Sequence, residues 1–321
     1  MQRVDVAIVG AGPTGLFGAY YAGFRGLSVT LVDALPEAGG QVSALYPEKL
    51  IFDVAGFPAI RGRDLVAGLV AQAAPFDPEY RLGVRALGLA YEDGRPVVSL
   101  SDGERLGCGA LLLTAGMGSF SPRPLPAAQD FTGDGVRYFV PRLAELAGHD
   151  VVIVGGGDSA FDWAAALHPI ARSVTLVHRR DRFRAHAGSV AQVRAQGTEI
   201  IVNAEVRHIL GDGRVTGVQV VAGGETRSLP ADTVVAALGF TADLGALADW
   251  GLRLDHRHVV VDSTMATNLP RVFAAGDISD YPGKVRLIAV GFGEAATAVN
   301  NAAVVIDPSA HLFPGHSSDQ G

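Results

Sequence analysis

VDVAIVGAGPTG at residues 4–15 and HDVVIVGGGDSA at residues 149–160 share one pattern, and this pattern decides the fold. In each, a short apolar run typical of a buried parallel strand leads into a glycine turn. The sequence SVTLV then follows both turns, at 28–32 and at 173–177, so the whole stretch repeats at one constant offset. The repeat predicts a strand, a glycine turn, a helix and a second strand, twice over.

Glycine turns at this place have a specific physical role in dinucleotide binding. The first glycine permits the tight turn, the second lets backbone N–H groups approach a pyrophosphate, and the third position lets helix and strand pack closely. The helix N-terminus then stabilises the phosphate charge. One such turn is weak evidence, but two in register are strong evidence. The expected phosphate-binding residues are Gly10, Gly12, Thr14 and Gly15 in the first turn and Gly155, Gly157 and Ser159 in the second.

The residue after the second strand of each repeat indicates which dinucleotide binds. Asp33 stands there in the first repeat, where a carboxylate accepts hydrogen bonds from ribose hydroxyls and repels a 2′-phosphate, which suits FAD or NAD. In the second repeat the position holds His178, followed by Arg179 and Arg180, cationic donors that suit a 2′-phosphate. Arg184 extends the same cluster. A solvated surface turn is the alternative interpretation, but the position favours FAD in the first repeat and NADPH in the second.

The C-terminal region is expected to return to the first sheet. RVFAAGD at residues 271–277 reads as a strand that ends in Asp277, which is placed to bond the ribityl chain of FAD or to cap a helix. We therefore predict an α/β fold of two Rossmann-like dinucleotide-binding domains with three-layer ββα architecture. The NADPH domain, residues 116–239, is inserted into a split FAD domain of residues 1–115 and 240–321.

Five stretches resemble one known family over essentially the whole chain. The stretches are GGQ at 39–41 with SALYPEKLIFDVAGFP at 43–58, GGGDSAFDWA at 155–164, HRRDRFRAH at 178–186, AAGDISDYPGKVRLIAVGFGEAATAVNNA at 274–302, and PGHSS at 314–318. With these stretches, the sequence resembles the thioredoxin-reductase-like ferredoxin–NADP⁺ reductases, of the class II pyridine nucleotide-disulfide oxidoreductase superfamily.

The resemblance implies a set of FAD contacts and a homodimer. Tyr46 is expected to stack on one face of the flavin ring, although a core aromatic is the alternative. His316, on a tail contributed by the partner protomer, is expected to cover the other face, so we hypothesise that the tail is a mobile lid. No acid–base residue is assigned and no metal site is expected. The FAD contacts that the resemblance implies are Asp33, Gln41, Tyr46, Ala86, Phe120, Asp277 and Ser318.

The cysteine content separates this chain from thioredoxin reductase itself, which needs a Cys-x-x-Cys pair in its NADPH domain. Here the chain has one cysteine, Cys108, between two glycines. It reads as a buried small hydrophobe rather than a redox thiol. Electrons are therefore expected to leave the flavin directly, to ferredoxin or to flavodoxin.

Composition adds expectations about location and partners. The net charge of −7 argues weakly against nucleic acid or an anionic membrane as partner. The chain shows no export signal and no apolar run of membrane-spanning length, which favours a cytoplasmic protein. An acidic ferredoxin would need a local basic patch, and its candidate residues are Lys49, Arg61, Arg63, Lys284 and Arg286.

Three functions stay open from the sequence. The first is a ferredoxin–NADP⁺ reductase. The second is an NADPH-dependent flavoprotein reductase with another acceptor, such as flavodoxin, a quinone, a low-molecular-weight disulfide or a ferric chelate. The third is a flavin-binding redox sensor, against which the intact second glycine turn argues.

Overall fold

The computed structural model describes residues 1–316, which form two compact units. Of the described residues, unit 1 comprises 1–120 and 242–316, and unit 2 comprises Ser121–Thr241. The chain leaves unit 1 within one strand, Ser119–Pro122, and returns within another, Phe240–Asp243. Unit 2 is thus an insertion in the sequence of unit 1.

Strands supply most of the regular structure of both units. In chain order they are β1 (Gln2–Val9), β2 (Val29–Asp33), β3 (Leu50–Ile51), β4 (Ile60–Arg61), β5 (Glu79–Leu82), β6 (Ala86–Glu92), β7 (Arg95–Leu100), β8 (Arg105–Leu113), β9 (Ser119–Pro122), β10 (Gly133–Asp134), β11 (Val136–Arg137), β12 (Asp150–Val154), β13 (Ser173–Val177), β14 (Glu199–Ile201), β15 (Ala204–Leu210), β16 (Gly213–Arg214), β17 (Gly217–Ala222), β18 (Glu225–Pro230), β19 (Thr233–Ala236), β20 (Phe240–Asp243), β21 (Leu254–Asp255), β22 (His258–Val260), β23 (Val272–Ala274) and β24 (Ser279–Asp280).

Helices follow the glycine turns and close the units. The α-helices are α1 (Pro13–Phe24), α2 (Gln41–Leu45), α3 (Gly62–Ala73), α4 (Asp158–Leu167), α5 (Ala187–Ala195) and α6 (Ile288–Ile306). Short 3₁₀ turns are Ala74–Phe76, Pro126–Ala128, Leu143–Leu146, Gly245–Asp249 and Gly276–Ile278. Helix α1 begins with Pro13, whose fixed φ and missing N–H suit the first helical position.

The central sheet of unit 1 has the order β5-β2-β1-β8-β7-β6, with β23 also paired to β8. Strands β5, β2, β1, β8 and β23 run parallel, whereas β6, β7 and β8 form an antiparallel meander. Helix α1 packs against α3 and α6. The expected return of the C-terminal strand to the first sheet is confirmed, because β23 pairs with β8 from Val272 to Ala274.

The parallel sheet of unit 2 has the order β11-β19-β12-β13-β14. Alternate residues of β12 point to opposite faces, as the strand geometry requires. Val152 and Val154 pack with the antiparallel sheet β15-β17-β18, whereas Val151 and Ile153 pack with helices α4 and α5. The result is a three-layer arrangement of sheet, sheet and helices.

The register of the two parallel sheets follows the sequence repeat. In unit 1 Val6 pairs with Val29, and in unit 2 Val151 pairs with Val174. These are equivalent positions of the repeat, since each pair joins its first strand to its SVTLV strand. The prediction of two Rossmann-like dinucleotide-binding domains is confirmed.

One helix corrects an expectation drawn from the sequence. Helix α6 is long and apolar enough, by length and composition, to cross a membrane, although no run of that kind was expected. Helix α6 packs against α1 and β8 and buries small residues such as Ala295 and Ala298. Its polar Glu294 is buried with them.

Candidate dinucleotide-binding sites

A cavity of about 780 Å³ lies in unit 1 at the carboxyl ends of β1, β2, β8 and β23. Ligands of open α/β sheets bind at this edge, where the loops after parallel strands converge. The cavity brings together residues that lie far apart in the sequence. The predicted FAD contacts that line it are Gly10, Gly12, Thr14, Asp33, Gln41, Tyr46, Ala86, Phe120 and Asp277.

The first glycine turn lines this cavity, and its three glycines are required for different reasons. Gly10 has φ +112°, and a Cβ there would lie 2.5 Å from Thr114 O. A Cβ on Gly15 would overlap Gly10 O, so Gly15 lets α1 start directly above the turn. At Gly12 the closest protein atom to such a Cβ, the Cα of Gly40, is 4.0 Å away. Packing within the protein therefore does not require glycine at position 12, whereas close approach of a pyrophosphate does.

Asp33 ties the end of β2 to this turn. Its carboxylate accepts hydrogen bonds from Ala11 N at 2.6 Å and from Leu35 N at 2.8 Å. Burial raises the pKa of this carboxyl group, and the two backbone hydrogen bonds oppose the rise. Asp33 is thus a carboxylate at the cavity wall with fixed orientation, and its outer lone pairs are available to ribose hydroxyls.

Tyr46 and Gln41 bracket the short helix α2 at the same cavity. Tyr46 directly follows α2, and burial together with the negative charges of Asp277 and Asp53 raises its pKa to about 12. Its phenol therefore remains protonated at any physiological pH. The side-chain amide of Gln41 lies beside Gly116, where a Cβ would be only 2.7 Å from Nε2.

Asp277 lies in the 3₁₀ turn that follows β23, and it is exposed at the cavity wall. The turn starts at Gly276, which has φ +79° and lies against Thr14 of the first glycine turn. Within residues 1–316, neither the backbone N–H nor the carboxylate of Asp277 makes a hydrogen bond. Both groups are therefore available to a ligand.

The C-terminal tail is described only as far as His316. His316 is exposed, does not line the cavity of its own chain, and packs its ring edge-on to Phe313 with centroids 5.2 Å apart. Arg25 bonds the backbone carbonyls of His311 and Leu312 and so fastens the preceding segment to α1. Ser318 lies outside the described residues.

The second glycine turn precedes α4 in unit 2, and its glycines have surroundings like those of the first turn. A Cβ on Gly155 would collide with the backbone of Ala237 at its carbonyl, and one on Gly156 would overlap the ring of His178. At Gly157 the nearest atom, Nη2 of Arg184, is 3.9 Å away. Gly157 is thus the counterpart of Gly12, open on the side where a pyrophosphate would lie. Ser159 follows in the first turn of α4.

The segment from His178 to His186 folds back onto this turn. Arg184 N donates to Gly156 O at 2.8 Å, and His186 N donates to the carboxylate of Asp158 at 2.9 Å. These bonds bring the side chain of Arg184 beside Gly157, where a pyrophosphate is expected. The backbone therefore places a charged cluster, distant along the chain, at the start of α4.

The charges of this cluster favour an anion. Burial lowers the pKa of His178, and the charges of Arg179, Arg180 and Arg184 lower it further. His178 is therefore a neutral ring packed on the turn, and the positive charge belongs to the arginines. Arg179 and Arg180 are exposed and make no ion pair with a carboxylate within residues 1–316. They are free to bind a 2′-phosphate.

Cys108 lies on β8, and its side chain is buried. Burial raises the pKa of its thiol to about 12, so the thiol is not ionised at neutral pH. The thiol points to the carbonyl of Pro96, at 3.6 Å. Thiol–disulfide chemistry needs an accessible thiolate, and this residue does not offer one.

One residue of the expected docking patch is placed wrongly by the sequence interpretation. Lys284 is buried, and its ammonium group pairs with Glu294 of α6 at 2.5 Å, so it is not a surface cation. The sequence reasoning missed Glu294, although a lone carboxylate in an apolar helix pattern signals a buried partner. It also missed Arg85, Leu287 and Ile288, which line the cavity.

Comparison with known proteins agrees with this architecture. Residues 4–302 match the family described as pyridine nucleotide-disulphide oxidoreductase. The chain is 73% identical over 320 residues to a ferredoxin–NADP reductase of Salinispora arenicola, covering 99% of both chains. It is 49% identical to the ferredoxin–NADP reductase of Thermus thermophilus, covering 99% of this chain and 98% of the other.

Among solved structures, the fold is similar to the thioredoxin reductase of T. acidophilum. The TM-score is 0.78 at 28% identity, and the match covers 96% of this chain and 99% of that one. Residues 4–302, which match the family, contain both glycine turns, most of strand β1 and all of strand β12 before them, and the returning strand β23. This chain is therefore a member of the pyridine nucleotide-disulphide oxidoreductase family.

Proposed function

We propose that this chain is an FAD-dependent oxidoreductase that transfers electrons between NADPH and a ferredoxin. The observation that carries the proposal is the contrast between the two units at one position of the repeat. In unit 1 the second strand of the repeat, β2, ends in Asp33. In unit 2 the equivalent strand, β13, is followed by His178, Arg179 and Arg180. Relatives named ferredoxin–NADP reductase match the chain over its full length.

FAD is assigned to unit 1. Asp33 and the start of α1 provide the acceptor for the ribose and the N–H groups for the pyrophosphate. Asp277, which also lines the cavity, presents an N–H and a carboxylate without hydrogen-bond partners within residues 1–316. Bound FAD would supply both two-electron and one-electron chemistry in a single group. The protonated phenol of Tyr46 provides an aromatic surface that excludes water from the ring.

NADPH is assigned to unit 2. Gly157 and the N-terminus of α4 suit the pyrophosphate, and Arg184 adds positive charge beside it. Arg179 and Arg180 select NADPH over NADH because only the former carries a 2′-phosphate that guanidinium groups bind. No general acid or base of the protein is required for hydride and electron transfer.

The cysteine content of the chain limits which electron acceptor it can serve. The chain has a single cysteine, so it cannot form the internal dithiol that passes electrons to a disulfide substrate. Cys108 is also buried and protonated. A one-electron acceptor that takes electrons directly from the cofactor, such as a ferredoxin, fits these facts.

The proposal extends to assembly and location. The active protein is proposed to be a cytoplasmic homodimer in which the tail with His316 covers the FAD bound to the partner protomer. The exposed ring of His316 and the fastening of His311 and Leu312 by Arg25 support a tail that leaves its own cavity uncovered. The net charge of −7 supports a protein without nucleic acid or membrane partners.

Steady-state reduction of cytochrome c by NADPH, with and without added ferredoxin, tests the acceptor. Strong stimulation by ferredoxin is expected. Reduction of dyes without stimulation would point instead to a reductase with another acceptor, such as flavodoxin, a quinone, a small disulfide or a ferric chelate. Slow turnover with every acceptor would point to a redox sensor and would overturn the proposal.

A further inference from the structure

A buried ion pair lies directly behind the cavity wall in unit 1. The side chains of Lys284 and Glu294 are 3% and 5% exposed, and Nζ lies 2.5 Å from one carboxylate oxygen and 2.6 Å from the other. The hydroxyl of Tyr281 also donates to Glu294, at 2.6 Å. A charge pair this deep carries a large desolvation penalty and is weak evidence for stability alone. Its place in the fold points to another role.

The pair holds one glycine from both sides. Gly276 N donates to Glu294 at 2.7 Å, and Lys284 Nζ donates to Gly276 O at 2.9 Å. Ser279 Oγ donates to the same carbonyl at 2.8 Å. Both backbone polar groups of Gly276 are thereby fixed by buried, charged or hydrogen-bonded partners. Gly276 has φ +79°, a conformation that glycine adopts without strain, so the buried pair selects the direction of its peptide groups rather than relieving strain.

Fixing the carbonyl of Gly276 also fixes the N–H of the next residue. The two groups belong to one planar trans peptide and point in opposite directions. Because the carbonyl is drawn toward Lys284, the N–H of Asp277 must point away from the buried pair. Asp277 lines the cavity, and neither its N–H nor its carboxylate makes a hydrogen bond within residues 1–316.

We propose that Lys284 and Glu294 are positioning residues for the cofactor, which hold the Gly276–Asp277 peptide so that the N–H of Asp277 faces the bound FAD. The inference rests on the proposed FAD site of unit 1 and deepens it. Neither residue of the pair lines the cavity, so each acts through Asp277. Gly276, which the pair holds, also lies against Thr14 of the first glycine turn.

The test is the FAD affinity of the double variant Lys284→Met/Glu294→Met, measured by release of FAD fluorescence on dilution of the holoprotein. Apolar residues of similar volume remove the charges together, so no unpaired charge stays buried. FAD affinity should fall about tenfold to a hundredfold, as expected when a hydrogen bond to a charged ligand is misaligned. NADP⁺ binding to unit 2 should stay unchanged, which would show that the loss is confined to unit 1.

The matched control is Arg105→Met/Glu92→Met. This pair also has an N–O distance of 2.5 Å and lies in unit 1, but it is half exposed and does not line the cavity. FAD affinity should stay at the wild-type value in the control. A pair that serves only stability would lower the unfolding temperature of the Lys284/Glu294 variant and leave its FAD affinity intact, and that outcome overturns the inference.

Two further outcomes are separable. If the wild-type protein itself binds no FAD, the proposed function fails, and the pair is then a structural feature. If Lys284→Met/Glu294→Met does not fold, Lys284→Arg carries the test, since it keeps the charge but cannot place one compact ammonium between Glu294 and Gly276. Weaker FAD binding by this variant supports the positioning role, and unchanged binding contradicts it.

Discussion

The carboxylate of Asp33 accepts a hydrogen bond from the N–H of Ala11 at 2.6 Å, so the residue that ends β2 is joined directly to the glycine turn that ends β1. A second bond, from Leu35 N at 2.8 Å, holds the other carboxylate oxygen. Asp33 therefore sets the shape of the turn as well as offering an acceptor to a ribose. Its two roles are separable by mutation.

Replacing Asp33 by Ala should weaken FAD binding by about tenfold to a hundredfold, since hydrogen bonds to a charged group contribute about 1.5–3 kcal/mol each. Fluorescence of FAD released from the holoprotein measures this. The matched control is Asp5→Ala, because the carboxylate of Asp5 on β1 also accepts a hydrogen bond from a backbone N–H, that of Ser28 just before β2 at 2.9 Å, but away from the cavity. An equal loss of affinity in both variants would show that Asp33 acts through stability alone.

The glycines of the first turn should divide into two classes. Gly12→Ala meets no protein atom closer than 4.0 Å, so the variant should keep the wild-type unfolding temperature and lose FAD affinity. Gly15→Ala forces Cβ into Gly10 O and should destabilise unit 1 by about 1–3 kcal/mol. Thermal unfolding of the proteins without FAD, alongside FAD binding, separates the two effects. Equal destabilisation by both substitutions would contradict the assignment of Gly12 to ligand approach.

The arginines of unit 2 should determine nicotinamide specificity. For Arg179→Ala/Arg180→Ala, kcat/KM with NADPH should fall by about tenfold to a hundredfold, whereas kcat/KM with NADH should change little, because the lost bonds are to the 2′-phosphate. Arg172→Ala is the control, since Arg172 precedes the same strand β13 at its other end and pairs with Asp150. If kcat/KM falls equally with NADPH and with NADH, the substitutions act through folding and not through recognition of the 2′-phosphate.

Much of this architecture was predictable because it repeats. The register of Val6 with Val29 and of Val151 with Val174 follows from a fixed sequence offset, and strand ends then place Asp33 and His178 at the same edge of each sheet. Parallel strands are buried on both faces, so their apolar runs are visible without a structure.

Contacts between distant segments were not predictable in the same way. The sequence around Lys284 does not distinguish it from a surface lysine, so it was expected to be a surface cation. Only the packing of α6 brings Glu294 into contact with it. Likewise, the bond from Ala11 N to Asp33 depends on the backbone path of the turn, which the residue types do not specify. Such contacts depend on the tertiary fold rather than on local pattern.

Cys108 should be inert toward thiol reagents in the folded protein and dispensable for turnover. Its thiol pKa is raised to about 12 by burial, so at pH 8 the folded protein holds roughly a thousandfold less thiolate than the unfolded chain, whose thiol has an ordinary pKa of about 8.5. The folded thiol keeps a proton that the unfolded thiol loses, so this group makes the protein less stable as the pH rises from about 9 to about 12. Cys108→Ala should remove that part of the alkaline loss of stability and leave NADPH-dependent activity unchanged. Labelling with a chromogenic disulfide at pH 8, with and without denaturant, measures the reactivity, and fast labelling of the native protein would show instead that the thiol is accessible to redox chemistry.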